Sequence, residues 1–286
     1  MVRPANVVTS VADVWAGAAI SGAMSPELFK DTWQRVLLLS LSTTCLYGGG
    51  IVFNDVFDAN LDRVERPERS IPSGLITIHQ AATFGTVLLA AGIILAGLSN
   101  IKSGIIAVAI AFFAFLYNKF SKHNPFFGPL NMGFCRGLNL LLGMSVIFAL
   151  LSTWYMLGVI PVFYIFSITM ISRGEVDGGN KKSLCIAAVL YAIVTGSILF
   201  FSYLNNKLVL SGIFLIPFLW MIYKPLFKAI QNPIVKNIRT AVKAGVISLI
   251  LMDAAWAVTF GNIYAAIGIV CLLPISLWLA EFFAVT

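Results

Sequence analysis

The chain has 286 residues, of which 59% are hydrophobic and 11% charged, and a mean hydropathy of +0.92. A water-soluble domain carries about 25% charge, so this composition describes an integral membrane protein. The apolar residues come in long runs instead of short alternating segments, which excludes an outer-membrane barrel and leaves a helical bundle. The net charge of +7 does not call for nucleic acid as a partner, because basic loops are what membrane topology produces; the expected surroundings are a lipid bilayer.

In chain order, stretches of about 20 mostly apolar residues predict spans at 5–24, 34–57, 76–97, 101–118, 129–150, 154–172, 184–203, 208–224, 240–260 and 262–282. The first is the least hydrophobic, and Arg3 and Pro4 open it, so no cleavable signal peptide is expected. The last two are separated only by Gly261 and Asn262. The prediction is therefore an all-α, polytopic bundle of nine or ten spans, forming a single domain over residues 1–286.

If there are ten spans and the N-terminus is cytoplasmic, only Lys30, Arg35, Lys102 and Lys207 fall outside, and the rest of the 19 Lys and Arg fall inside. That bias predicts the orientation. Cys45, Cys135, Cys185 and Cys271 stand singly in apolar runs without a CxxC pair, and read as small buried hydrophobes.

The polar residues gather on the cytoplasmic side of this scheme. The second span ends in Asn54, Asp55, Asp58 and Asp62. On a continued helix the three aspartates, at i, i+3 and i+7, share one face. Like charges at that spacing repel, and grouped carboxylates suit Mg²⁺, a hard cation that commonly bridges one or two carboxylates to substrate phosphates. Downstream, Arg66 and Arg69 can fork onto phosphate oxygens; ordinary positive-inside loop charge is the alternative.

The next cytoplasmic loop brings Tyr117, Lys119, Lys122 and His123. The fifth span opens with Asn131, Arg136 and Asn139 at helical offsets. An arginine that deep usually faces the bundle interior or a wet cavity, unless it snorkels to the interface. A second polar cluster, with Arg173, Glu175 and Asp177, ends the sixth span. The two clusters can face one another across a central cavity open to the cytoplasm, making a site for an amphiphile with a charged head.

The run from Asn54 to Asp62 reads NDxxDxxxD. With Arg66-Pro67 and Arg69-Ser70-Ile71-Pro72-Ser73-Gly74 it resembles the UbiA superfamily of membrane prenyltransferases. The likeness extends to Tyr117 with Lys122 and to the succession of spans. The segment 128–139 and the ending 280–286 look like the EboC branch.

The resemblance implies transfer of a prenyl group from a polyprenyl diphosphate to a hydrophobic acceptor, aromatic or lipid-like, with Mg²⁺ as cofactor. It would place Asp55, Asp58 and Asp62 on the metal, with Asn54 orienting them. Arg66, Arg69 and Lys122 would hold the diphosphate, and Tyr117 would face the prenyl cation or the leaving group. The family's second motif is DxxxD, whereas here Arg173 occupies the first aspartate position. A guanidinium there can neutralise a phosphate directly, leaving Glu175 and Asp177 for metal.

Asp13 and Asp253 lie inside apolar spans, where three readings stay open: protonated, paired with a buried partner, or part of an acceptor pocket as a base. A rival reading makes the chain an isoprenoid-binding or transport component that uses these acids.

Overall fold

A computed structural model describes residues 3–175, 178 and 180–283. All the regular elements among them are helical. α1 (Pro4–Ile20) starts with proline in its first turn, where no N–H is needed. α2 (Phe29–Phe57) runs almost directly into the short α3 (Ala59–Glu65). α4 (Ile78–Ser99) opens on a capping box between Thr77 and Gln80. α5 (Ile101–Leu116), capped by Asn100, ends in a π-helical turn at Tyr117–Ser121. α6 (Phe127–Met144), a short α7 (Phe148–Trp154) and α8 (Val159–Ser172) follow. The remaining helices are α9 (Lys181–Leu204), α10 (Leu208–Gln231), α11 (Val235–Thr259), α12 (Ile263–Val270) and α13 (Leu272–Phe282).

Eight helical segments among the described residues are long and apolar enough to cross a membrane. One of them, Phe127–Glu175, has 49 residues, and at about 1.5 Å per residue this exceeds twice the hydrocarbon thickness of about 30 Å. It crosses twice, as α6 and, packed back along it, α8. α1, with 17 residues, is short, but it lies against α2, α6, α11 and α13 at the centre of the bundle. With α12 and α13 forming the last crossing, the described residues make ten, and the protein is a multi-pass integral membrane protein. α11 is the central helix: 83% of its apolar window is buried, against 22% for the peripheral α4.

Two expectations change. The spans predicted at 129–150 and 154–172 are not continuous, because the chain leaves α6 at Met144 and inserts α7 before α8. Polar side chains catch the carbonyls released at that break, with Asn100 Nδ2 donating to Ser145 O at 3.0 Å and Arg35 Nη1 to Val146 O at 3.5 Å. Hydropathy alone does not register such contacts. Cys185 and Cys271 are exposed, not buried; they face outward from the bundle, where lipid accepts a thiol as readily as a core does.

Glycine sets the closest approaches. A Cβ on Gly49 would strike Leu89 of α4, and one on Gly50 would touch Ala114 of α5, so the run Gly48-Gly49-Gly50 is a packing surface. Because successive crossings alternate in direction, the C-terminal ends of α2, α5 and α8 meet the N-terminal ends of α1, α6 and α11 at one end of the bundle, and a cavity opens there.

Candidate active site

The acidic face of α2 and α3 survives the turn between them. Asp58 N–H donates to Asn54 O at 3.0 Å and Asp62 N–H to Asp58 O at 2.8 Å, so helical spacing is kept through the junction. The guanidinium of Arg69 folds back over this face, its Nη1 lying 2.7 Å from Asp62 Oδ2 and 3.4 Å from Asp55 Oδ1. Asp58 pairs instead with the ammonium of Lys122. Two cations thus serve the three carboxylates, Arg69 shared by Asp55 and Asp62 and Lys122 on Asp58, which offsets much of the mutual repulsion expected from their spacing.

Lys122 reaches Asp58 because of the π-helical turn that carries it. Lys122 N–H closes on Tyr117 O at 2.9 Å, widening the last turn of α5. Asn118 fixes this turn to α2: its Nδ2 donates to Gly50 O and to Ala114 O, each at 3.0 Å, while its Oδ1 accepts from Asn54 Nδ2 at 3.0 Å. Asn54 therefore holds two helices together beside the acids. Asn131 does similar work at the start of α6, donating to Ser121 Oγ at 2.7 Å.

The cavity has a volume of about 430 Å³. Its mouth carries Asn54, Asp58, Asp62, Arg66, Arg69, Tyr117 and Lys122, and Glu175 faces it from the end of α8. The walls are apolar, with Leu46, Ile110, Ile165, Ile168 and Leu249 among them. Deeper on α6, Arg136 and Asn139 line it as well, together with Thr43 and Tyr47 of α2. A charged mouth over an apolar chamber matches an amphiphile with an anionic head.

Arg173 is placed differently from the other candidates. It is exposed and does not line the cavity; its Nη1 and Nη2 donate to Asn124 O at 3.0 Å and His123 O at 3.1 Å. It ties the end of α8 to the loop that begins at Lys122. Asp177 lies outside the described residues, as do Ala284, Val285 and Thr286 of the C-terminal ending.

Asn118, Thr43 and Tyr47 also line the cavity, though they belong to none of the sequence motifs. A signal was present for two of them. Thr43, Tyr47 and Asn54 follow one another at i, i+4 and i+11, so they lie on one face of α2.

No three His, Cys, Asp or Glu side chains among the described residues converge as a preformed metal cage. Mg²⁺ does not need one, since it is usually held by one or two carboxylates, waters and the substrate's own phosphates. Asp58 and Asp62, hard oxygen donors on the cavity wall, fit that requirement.

Residues 14–224 match the model of the UbiA prenyltransferase family, more than half of the chain. The chain belongs to the UbiA prenyltransferase family. Its relatives include a digeranylgeranylglyceryl phosphate synthase of Saccharolobus solfataricus, 33% identical over 54% of this chain and 55% of that one. The synthase of Sulfurisphaera tokodaii is 30% identical over 59% of each. The chain thus spans little more than half the length of the relatives it matches.

Two solved structures share the fold. One is a digeranylgeranylglyceryl phosphate synthase, with a TM-score of 0.63 and 21% identity, covering 91% of this chain and 99% of that one. The other is a UbiA homologue from Aeropyrum pernix K1, with a TM-score of 0.60 and 14% identity, covering 99% and 98%. The EboC branch does not figure among these matches; the family is what they establish.

Proposed function

We propose that the protein transfers a prenyl group from a polyprenyl diphosphate to a hydrophobic acceptor inside the membrane. The observation that carries this reading is the cavity with Asp58, Asp62, Arg66, Arg69 and Lys122 at its mouth and apolar side chains behind them. The synthase relatives favour a geranylgeranyl donor and a glyceryl lipid acceptor; an aromatic acceptor fits the same chamber. Within the family, the segment 128–139 keeps the EboC branch as the narrower placement.

Asp58 and Asp62, with Asp55 beside them, would hold Mg²⁺, which would supply positive charge to offset that of the departing diphosphate. Lys122 and Arg69, which pair with these acids in the structure, turn onto phosphate oxygens, joined by Arg66. Exchanging one anion for another keeps each cation paired throughout. Glu175 adds acid from the end of α8. Tyr117, with its ring on the cavity wall, borders the allylic carbon as the diphosphate leaves, and the apolar lining keeps water from that carbon. Purified protein in nanodiscs should bind geranylgeranyl diphosphate more tightly with Mg²⁺ than with EDTA and should release diphosphate once acceptor is added. Binding that ignores both metal and diphosphate would overturn the reading in favour of a lipid-transport role.

The mouth faces the cytoplasm in this reading, as the skewed distribution of Lys and Arg requires. Reporters inserted after Gly74 or Asn124 should score cytoplasmic, and those after Asn100 or Asn206 external. An external score at Gly74 would put the acidic motif in the wrong compartment.

Arg173 serves by holding the Lys122 loop, not by touching phosphate. Arg173→Ala should weaken geranylgeranyl diphosphate binding only about fivefold, the worth of one exposed hydrogen-bonded contact, and leave the Mg²⁺ requirement unchanged. A loss as deep as that of Lys122→Ala would place its guanidinium on the substrate instead.

A further inference from the structure

Below the mouth, the bundle contains a second polar centre that the diphosphate reading does not use. Arg136 Nε lies 2.5 Å from Asp13 Oδ2, with side-chain exposures of 6% and 0%. Asn139 Nδ2 donates to the same Asp13 oxygen at 2.9 Å and to Ser10 O at 2.8 Å, and Asn139 Oδ1 accepts from Thr43 Oγ1 at 2.6 Å. Asp253 of α11, fully buried, faces Asp13, and neither of its oxygens receives a donor among the described residues. Four crossings, α1, α2, α6 and α11, converge here. Tyr47 precedes Asp58 by 11 residues on α2 and holds its ring 6.0 Å from the Arg136 guanidinium. At about 1.5 Å per residue the centre lies roughly 16 Å below the mouth, near the middle of the bilayer.

A brace alone does not account for this arrangement. A buried ion pair gives no more stability than well-packed apolar side chains, and a brace would use all its donors. Arg136 Nη2 is buried and has no hydrogen-bond partner among the described residues, yet Arg136 lines the cavity. A donor left open at that depth has given up its water and gained no partner, a loss that a ligand oxygen would recover. Charge restricts what that oxygen can be. Asp13 already pairs with the guanidinium, so an anionic group entering here would find no unpaired positive charge to offset the cost of its burial.

We propose that the cavity floor is an acceptor subsite in which Arg136 Nη2 donates a hydrogen bond to a neutral oxygen, a hydroxyl or phenol, of a lipid-soluble acceptor. Asp13 and Asn139 are positioning residues that set the guanidinium's angle. The proposal rests on the prenyl-transfer reading only in calling the occupant an acceptor; the binding site stands on its own geometry.

The test uses the full chain in nanodiscs and three probes of one size: para-hexylphenol, hexylbenzene and para-hexylbenzoate. The phenol should bind at least about tenfold tighter than either of the others, the worth of one hydrogen bond from a charged donor. In Asp13→Asn/Arg136→Met, which removes both charges of the pair together so that neither is left uncompensated, the phenol's advantage over hexylbenzene should fall to about twofold or less. Geranylgeranyl diphosphate binding should stay within about twofold of the parent. Equal binding of phenol and hexylbenzene to the parent, tighter binding of the benzoate, or a phenol advantage that survives in the double variant would each overturn the subsite. The parent's probe series decides the matter even if the double variant does not fold. If the parent binds no geranylgeranyl diphosphate, the prenyl-transfer reading fails while the phenol comparison still rules on Arg136.

Discussion

Asp58→Asn should abolish the gain in geranylgeranyl diphosphate affinity that Mg²⁺ confers, a loss of about a hundredfold by analogy with removing one partner of a buried charge pair. The amide keeps the shape of the carboxylate and can still accept from Lys122, so the π-helical turn should hold its place. What it lacks is the charge that a hard cation requires of its ligand. The variant also loosens the hold on Lys122, whose ammonium pairs with the charged Asp58 carboxylate. In EDTA, therefore, the variant should bind the diphosphate as well as the parent or slightly better, and only the response to metal should vanish. Glu27→Gln, an exposed acid at the opposite end of the bundle, should change neither measurement. Titrating Mg²⁺ against both variants decides the point; an unaltered metal response in Asp58→Asn removes Asp58 from the metal site.

The acids were legible in the sequence because their information is local. The spacing of Asp55, Asp58 and Asp62 fixes a shared helix face whatever the rest of the chain does, and the structure keeps that spacing through the α2–α3 junction. The spans were legible for the same reason, since a run of apolar residues has only one solution in a bilayer. What the sequence hid depends on contacts between distant segments. Arg173 was read from its place in a motif, but its guanidinium is claimed by the carbonyls of residues about 50 positions earlier in the chain. The break after Met144 depends on Asn100 and Arg35 reaching carbonyls from other helices. Asp13 and Asp253 each stood out as misplaced acids, yet nothing local says that they converge, with Arg136 between them and the cavity.

The convergence depends on how closely α1 approaches α6, and this gives the second large effect. Gly17 and Gly143 face one another across that crossing. A Cβ on Gly143 would collide with the Val14 carbonyl, with the carbonyl carbon only 2.8 Å away, and one on Gly17 would come within 2.7 Å of the Met144 nitrogen. Both obstacles are helix backbone, which cannot swing aside as a side chain can. Gly143→Val should therefore push the helices apart and cost about 3 kcal/mol or more, the upper end of overpacking penalties. Asp13 and Arg136 lie on this same interface, so separation also strips a buried ion pair of its geometry, adding an electrostatic loss to the steric one. Thermal unfolding in detergent should show a large drop for Gly143→Val and an intermediate one for Gly143→Ala. Gly196→Ala should melt with the parent or above it, because a Cβ there meets nothing within 4 Å and alanine is the better helix former. The phenol preference assigned to Arg136 should fade in step with stability across the Gly143 series, whereas geranylgeranyl diphosphate binding, held by α2, α3 and the π-helical turn, should outlast it. If Gly143→Val melts with the parent, the helices do not cross this closely, and the Asp13–Arg136 pair loses the backbone contact that holds it in place.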